Sequence, residues 1–247
     1  MYDSLQWVRR NLPEGDKNKI VVCGDSAGGN LVAALTHLIK QRNEKQVQFQ
    51  VLVYAALADL RHEESFESCR QFGKYGYFID KEMKMLFSDL HFLGNMDLLG
   101  DPLAFPLNAQ DMQNIPDALI LAAELDILRD DNIAYAKKLN TAGVKVGYSF
   151  FCYFLTSFCA TLILSIILSF SPLFSFSIIL SSSHSHTHCN HHCNHQLVQW
   201  GKNQQTELHI FKGEVHGFLQ GEYVHPESQT RAVDIITQAI NSHFEKY

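Results

Sequence analysis

The chain has 247 residues, 46% hydrophobic and 19% charged, enough for one large domain or two small ones with a sizeable core. Lysine and arginine total 20 against 26 aspartates and glutamates, a net charge of −6 with no basic run, which argues against nucleic acid as a partner. The opening MYDSLQWVRRNLPEGD has no apolar core of a secretory signal, and the 6 cysteines form no disulfide framework, which favours a reducing, cytoplasmic compartment.

In chain order, residues 3–12 predict a short helix with Leu5, Val8 and Leu12 on one face. KIVVC, 19–23, is a continuous apolar run, the pattern of a buried parallel strand. A helical pattern follows from Ala27 to about Gln41, with Leu31, Leu35 and Leu38 on one side. FQVLVYAAL, 49–57, predicts a second buried strand, and residues 58–79 read as loop. Asp80 can N-cap a helix reaching about Leu93. DALILAA, 117–123, predicts a third strand, and Arg129–Ala142 a helix stopped by Gly143. TELHIF, 206–211, predicts a fourth strand. Pro226 to Phe244 predicts a closing helix with Val233, Ile236, Ile240 and Phe244 inward. Alternating strands and helices with near-continuous apolar strands imply an α/β fold, a parallel sheet covered on both faces.

The pattern breaks between Val146 and Gly201, which contain no Asp, Glu, Lys or Arg. An apolar, serine-rich part is followed by a His/Ser/Cys/Asn tract. Segment 148–205 therefore divides the chain into two α/β parts, 1–147 and 206–247, around an insert. Its abundance of Phe, Ser, Leu and Pro reads as translated pyrimidine-rich non-coding sequence, such as a retained intron. A membrane segment within 150–180 and an ordinary low-complexity loop are the alternatives. The tract at 184–195 has no fixed ligand spacing and implies no specific metal site.

Gly24-Asp25-Ser26-Ala27-Gly28, followed by Gly29, fits the G-x-S-x-G pattern between a strand and a helix. A nucleophilic serine needs this sharp turn to expose its hydroxyl, and glycines let the backbone pass closely. The Ala27 N–H, at the positive end of the helix, can then face a developing oxyanion. A triad on such a scaffold takes its acid and then its histidine in that chain order. Asp126 follows the third strand, where α/β sheets place their sites; Glu124, Asp130 and Asp131 compete, the last two as first-turn helix charges. His216, in GEVHGF, follows the fourth strand, whereas His209 falls inside it and His225 and His243 lie on or beside the last helix.

GDSAGGNL, DPLAFPL, IPDALILAAELDILRDDNIAYAKKLNTAGV and GEVHGF together resemble the hormone-sensitive-lipase-like α/β-hydrolases, including the arylacetamide-deacetylase-like esterases. The resemblance covers about 1–147 and 206–247. It implies a serine esterase acting on small-molecule carboxylic esters, with Ser26 as nucleophile, His216 as general base and acid, and Asp126 as its orienting partner. No metal or organic cofactor is required for this chemistry. The resemblance also makes SCRQFGKYGYF, 68–78, a pocket-lining segment. It further implies an upstream HGGG loop, which this sequence does not contain, so the chain reads as N-terminally incomplete, with an inactive fragment as the alternative. On that reading KIVVC is expected to be an exposed apolar edge strand.

Overall fold

The computed structural model describes residues 1–13, 17–59, 65–74, 78–92, 95–144, 149–150, 166–167, 176–180, 207–211, 214–219 and 226–244. The strands are β1 (Ile20–Asp25), β2 (Phe49–Val53), β3 (Asp117–Ala123), β4 (Ser149–Phe150), β5 (Ile166–Ile167), β6 (Phe176–Leu180) and β7 (Glu207–Phe211). The helices are α1 (Tyr2–Asn11), α2 (Ala27–Gln41), α3 (Glu67–Phe72), α4 (Lys81–Phe92), α5 (Arg129–Thr141) and α6 (Pro226–Phe244). Among the described residues one sheet runs in the order β4-β7-β3-β2-β1-β6-β5.

The centre of the sheet, β7-β3-β2-β1, is parallel, with Asp25 opposite Val53, Val53 opposite Leu121 and Leu121 opposite His209. This register brings the carboxyl ends of four strands to one rim. Alternation of side chains builds a core on each face. Ile20, Val22, Leu52, Ala118, Ile120 and Leu208 meet Leu5 of α1, Val32, Leu35 and Ile39 of α2, and Tyr135 and Leu139 of α5. Val21, Val51, Val53, Leu119, Leu121 and Phe211 meet Ala232, Ile236 and Ile240 of α6. The expected α/β architecture is therefore present, a sheet between two helical layers.

Several local expectations are corrected. β2 ends at Val53 rather than 57, because Tyr54 turns out of the sheet at φ 36 and Ala55–Ala58 form a buried loop. The loop at 58–79 contains helix α3. Leu31 is exposed, and α2 buries Val32, Leu35 and Ile39 instead, since the sheet covers the side of the helix centred on those residues. Val233 is likewise exposed and Ala232 takes the inward position, in step with Ile236 and Ile240 at i+4 and i+8. The β1 edge is not bare: β6, from within the insert, pairs with it antiparallel, Ile20 opposite Leu180 and Gly24 opposite Phe176. Backbone pairing satisfies the N–H and C=O row that an edge would have exposed.

One start signal and one stop signal hold. The Met83 N–H donates to Asp80 Oδ1 at 2.8 Å, capping α4. Gly143, just past α5, has φ 78, and a Cβ there would meet nothing within 4 Å. Among the described residues no helix is long and apolar enough to cross a membrane, and no group of His, Cys, Asp and Glu is placed to hold a metal ion. The tract at 184–195, and all of 150–180 except 150, 166–167 and 176–180, lie outside the described residues.

Candidate active site

The turn between β1 and α2 carries Ser26 at φ 54, ψ −120, a left-handed region that a residue with a Cβ enters at a cost. Neighbouring backbone fixes it there. The Ser26 N–H donates to the Val53 carbonyl at 2.8 Å, and the Ser26 carbonyl accepts from the Ala56 N–H at 3.2 Å. The glycines are required by space. A Cβ on Gly24 would lie 2.4 Å from the Gly28 oxygen, and one on Gly29 would lie 2.5 Å from the Ala55 Cβ. Asp25 ends β1 half-buried, and burial pushes its carboxyl above the usual range. Ala27, Gly28 and Gly29 make the first turn of α2, whose leading N–H groups have no acceptor within the helix.

Three loops from the same rim converge on this turn. Ser26 Oγ lies 2.8 Å from His216 Nε2, and His216 Nδ1 lies 2.9 Å from Asp126 Oδ2. A carboxylate only accepts, so Nδ1 carries the proton in this arrangement. In the neutral ring Nε2 is then the acceptor, and the Ser26 hydroxyl donates to it. Asp126 is 1% exposed and its other oxygen accepts the Leu128 N–H at 2.8 Å, which fixes the carboxylate's orientation. The turn holding Asp126 is tied to the His216 loop, because the Leu125 N–H donates to the Glu214 carbonyl at 2.9 Å. Chemically, this is a hydroxyl beside an imidazole that can take its proton, with a buried carboxylate to stabilise the resulting cation.

The competing residues stand elsewhere. The Glu124 N–H caps the end of β7 through the Phe211 carbonyl at 2.8 Å. Asp130 accepts from the Ser68 N–H at 2.9 Å. Asp131 is more than a helix-end charge: fully buried, it accepts the N–H groups of Leu57 at 3.3 Å and Ala58 at 3.0 Å, and Lys84 Nζ lies 3.7 Å away. Burial raises its carboxyl to about 6. His209 is buried within β7, His243 lies 3.9 Å from Asp117, and His225 falls outside the described residues.

Sequence reasoning missed three contributors, Tyr54, Asn132 and Asn30, and pointed to a fourth, Phe78, only as the last residue of the 68–78 segment. The His216 ring contacts Tyr54, with centroids 4.9 Å apart, and Phe78, with centroids 6.2 Å apart and planes at 22°. Asn132 Oδ1 accepts the Ala55 N–H at 3.1 Å, while its Nδ2 donates to the Ala55 carbonyl at 3.0 Å and the Leu128 carbonyl at 2.8 Å. Asn30 Nδ2 donates to the carbonyls of Ala56 at 2.8 Å and Ala104 at 2.9 Å. Asn132 and Asn30 carry a signal, being polar residues on helix faces that are otherwise apolar. Tyr54 carries none beyond apolarity, and Phe78 only its place in the segment 68–78 that the family resemblance makes pocket-lining.

A family model described as alpha/beta hydrolase fold matches residues 1–152. The chain belongs to that family. Its relatives include esterases: the chain is 37% identical over 149 residues to an arylesterase of Saccharolobus solfataricus, covering 58% of this chain and 46% of that protein. It is 35% identical over 153 residues to a carboxylesterase of Mycobacterium tuberculosis, covering 59% of this chain and 46% of that protein. Among solved structures, an esterase from Pyrobaculum calidifontis superposes with a TM-score of 0.63 at 26% identity, covering 98% of this chain and 58% of that one. This α/β-hydrolase chain thus spans a little under half the length of those two curated relatives.

Proposed function

We propose that this chain is a serine hydrolase of carboxylic esters that works through Ser26, His216 and Asp126. The observation that carries the reading is the unbroken run Ser26 Oγ–His216 Nε2, 2.8 Å, and His216 Nδ1–Asp126 Oδ2, 2.9 Å, on a strained turn at the carboxyl rim of a parallel sheet.

In this mechanism Ser26 Oγ attacks the ester carbonyl carbon while its proton passes to His216 Nε2. Asp126 holds the tautomer and stabilises the imidazolium. The carbonyl π bond opens to an oxyanion, which the Ala27 N–H and the positive end of α2 stabilise. As the C–O bond breaks, His216 returns its proton to the departing alkoxide, leaving an acyl group on Ser26. Water, deprotonated by the same imidazole, then attacks the acyl carbon and releases the acid. The chemistry draws on parts 1–147 and 206–247. The family resemblance implies a second set of oxyanion donors in an HGGG loop that this sequence does not contain. One lost donor lowers turnover by about 10²–10³, so slow but Ser26-dependent hydrolysis is expected.

The test compares the purified chain with Ser26→Ala on p-nitrophenyl acetate and on a fluorophosphonate probe. Labelling and hydrolysis that vanish in Ser26→Ala support the reading. Equal rates in both proteins, with no labelling of a folded chain, sink it and leave an inactive fragment.

A further inference from the structure

Phe78 is unusual on three independent counts. It is a large apolar ring that is 66% exposed. Its φ is 77, in the left-handed region that a bulky residue enters only when its surroundings hold it there. Its ring lies nearly parallel to the His216 imidazole, 22° between planes and 6.2 Å between centroids. The backbone of Gly217 lies close to the ring. Gly217 has φ 77, and a Cβ there would sit 3.4 Å from Phe78 Cε1. The imidazole also contacts Tyr54, at 4.9 Å between centroids, a ring that is fully buried and packed edge-on against Phe218 at 5.4 Å. Of the two aromatic rings that contact His216, Tyr54 is buried and Phe78 is open to solvent.

We infer that Phe78 is a specificity-determining residue that receives the leaving group of the ester and favours an aromatic one. The inference rests on the reading of Ser26, His216 and Asp126 as an ester-hydrolysing centre. It follows from where the proton goes. His216 Nε2 must hand its proton to the departing oxygen, so the group attached to that oxygen passes beside the imidazole. An exposed aromatic face running alongside that ring offers an apolar π surface there. Offset-stacked aromatic pairs add about 2- to 10-fold in binding beyond the area they bury. A short alkyl group gains little of this, because it has no π face and less area to cover.

The experiment holds the acyl group constant and varies only the leaving group, using phenyl acetate and ethyl acetate. Both give the same acetyl-enzyme, so deacylation cancels, and kcat/KM reports acylation. In Phe78→Ala the value for phenyl acetate is expected to fall about tenfold, mostly through KM, and that for ethyl acetate threefold or less. Phe78→Trp should keep the aryl preference, because it keeps an aromatic face. Phe78→Gly removes the ring while relieving the backbone strain, so a folding defect in the alanine variant cannot decide the outcome; it should show the same loss of preference. Equal changes for both esters, or none, overturn the inference while Ser26-dependent hydrolysis stands. Absence of any Ser26-dependent hydrolysis in the unmutated chain overturns the catalytic reading and this inference with it.

Discussion

Asn132→Ala is expected to be among the most damaging single substitutions outside the Ser26–His216–Asp126 group. Asn132 and Ala55 are both fully buried, and the Asn132 amide makes a reciprocal pair with the Ala55 N–H and carbonyl. Truncation leaves both Ala55 groups without that partner. Each orphaned buried polar group costs about 1–3 kcal/mol, so the pair costs about 2–6 kcal/mol before any cavity is counted. The Leu128 carbonyl loses less, since it still faces the Asn132 backbone N–H at 3.4 Å. The total is a large share of the roughly 5–15 kcal/mol that holds a domain folded. The damage is also aimed at Ser26, because Ala55 packs against Gly29 and the next residue, Ala56, donates to the Ser26 carbonyl. Urea unfolding is the assay: a loss of about 4 kcal/mol moves the midpoint by about 2 M at an m-value near 2 kcal/mol/M. Asn132→Asp is the partner variant. It keeps an acceptor for the Ala55 N–H but sets carboxylate oxygen against two carbonyls, so its loss should be at least as large. A loss below about 1 kcal/mol in both variants would refute this account of how the turn is held.

Further expectations follow from neighbouring parts of the structure. Asp126→Asn keeps the shape but removes the acceptor that holds the His216 Nδ1 proton, and kcat on p-nitrophenyl acetate should fall about 10⁴-fold; a fall below tenfold would remove Asp126 from the mechanism. Gly24→Ala forces a Cβ to 2.4 Å from the Gly28 oxygen and should abolish fluorophosphonate labelling, whereas Gly143→Ala meets no atom and should cost only the left-handed strain, about 1–2 kcal/mol, read in a urea titration. His37 is buried against the Tyr135 hydroxyl at 3.1 Å, and burial foremost, then Lys40 and Lys138, lowers its pKa from 6.5 to about 4. Above 6.5 it is neutral in both states and adds no pH dependence. As pH falls from 6.5 to 4 the unfolded chain takes up a proton that the folded chain refuses, so stability drops, by something on the order of 3 kcal/mol when complete. The raised Asp131 carboxyl acts oppositely, favouring the folded state as pH falls from about 6 to 3.8. The His37 effect is therefore read as the difference between the unmutated chain and His37→Gln: the two stability curves should converge as pH falls, and curves that stay parallel refute it.

The candidate site was legible in the sequence to an unusual degree. Ser26, Asp126 and His216 each stand a few residues past an apolar run, and the parallel register then brings all three to one rim. Strand periodicity placed β1 and β3 to within two residues, and the Asp80 and Gly143 signals marked helix ends that the structure keeps. The expectation for Leu31 and Val233 went astray because period-3.6 spacing fits more than one face of a helix. Which face turns inward depends on the sheet beneath it.

What the sequence determines by itself is local and chemical: where apolar runs must be buried, where a glycine is needed for close approach, and which residue types can exchange a proton. The largely buried β1 and β3 follow from that, and so does the strained turn at Ser26. What only the tertiary structure decides is non-local. It chooses Asp126 over Glu124, Asp130 and Asp131 as the partner of His216, because loop geometry, and not composition, sets which carboxylate reaches the imidazole. It gives Asp131 and Asn132 the task of holding Ala55–Ala58, brings Tyr54 and Phe78 against His216, and seats β6 against β1. Each of these contacts joins residues more than 70 positions apart, those of Tyr54 and Phe78 with His216 included, and contacts at that separation leave no periodicity along the chain.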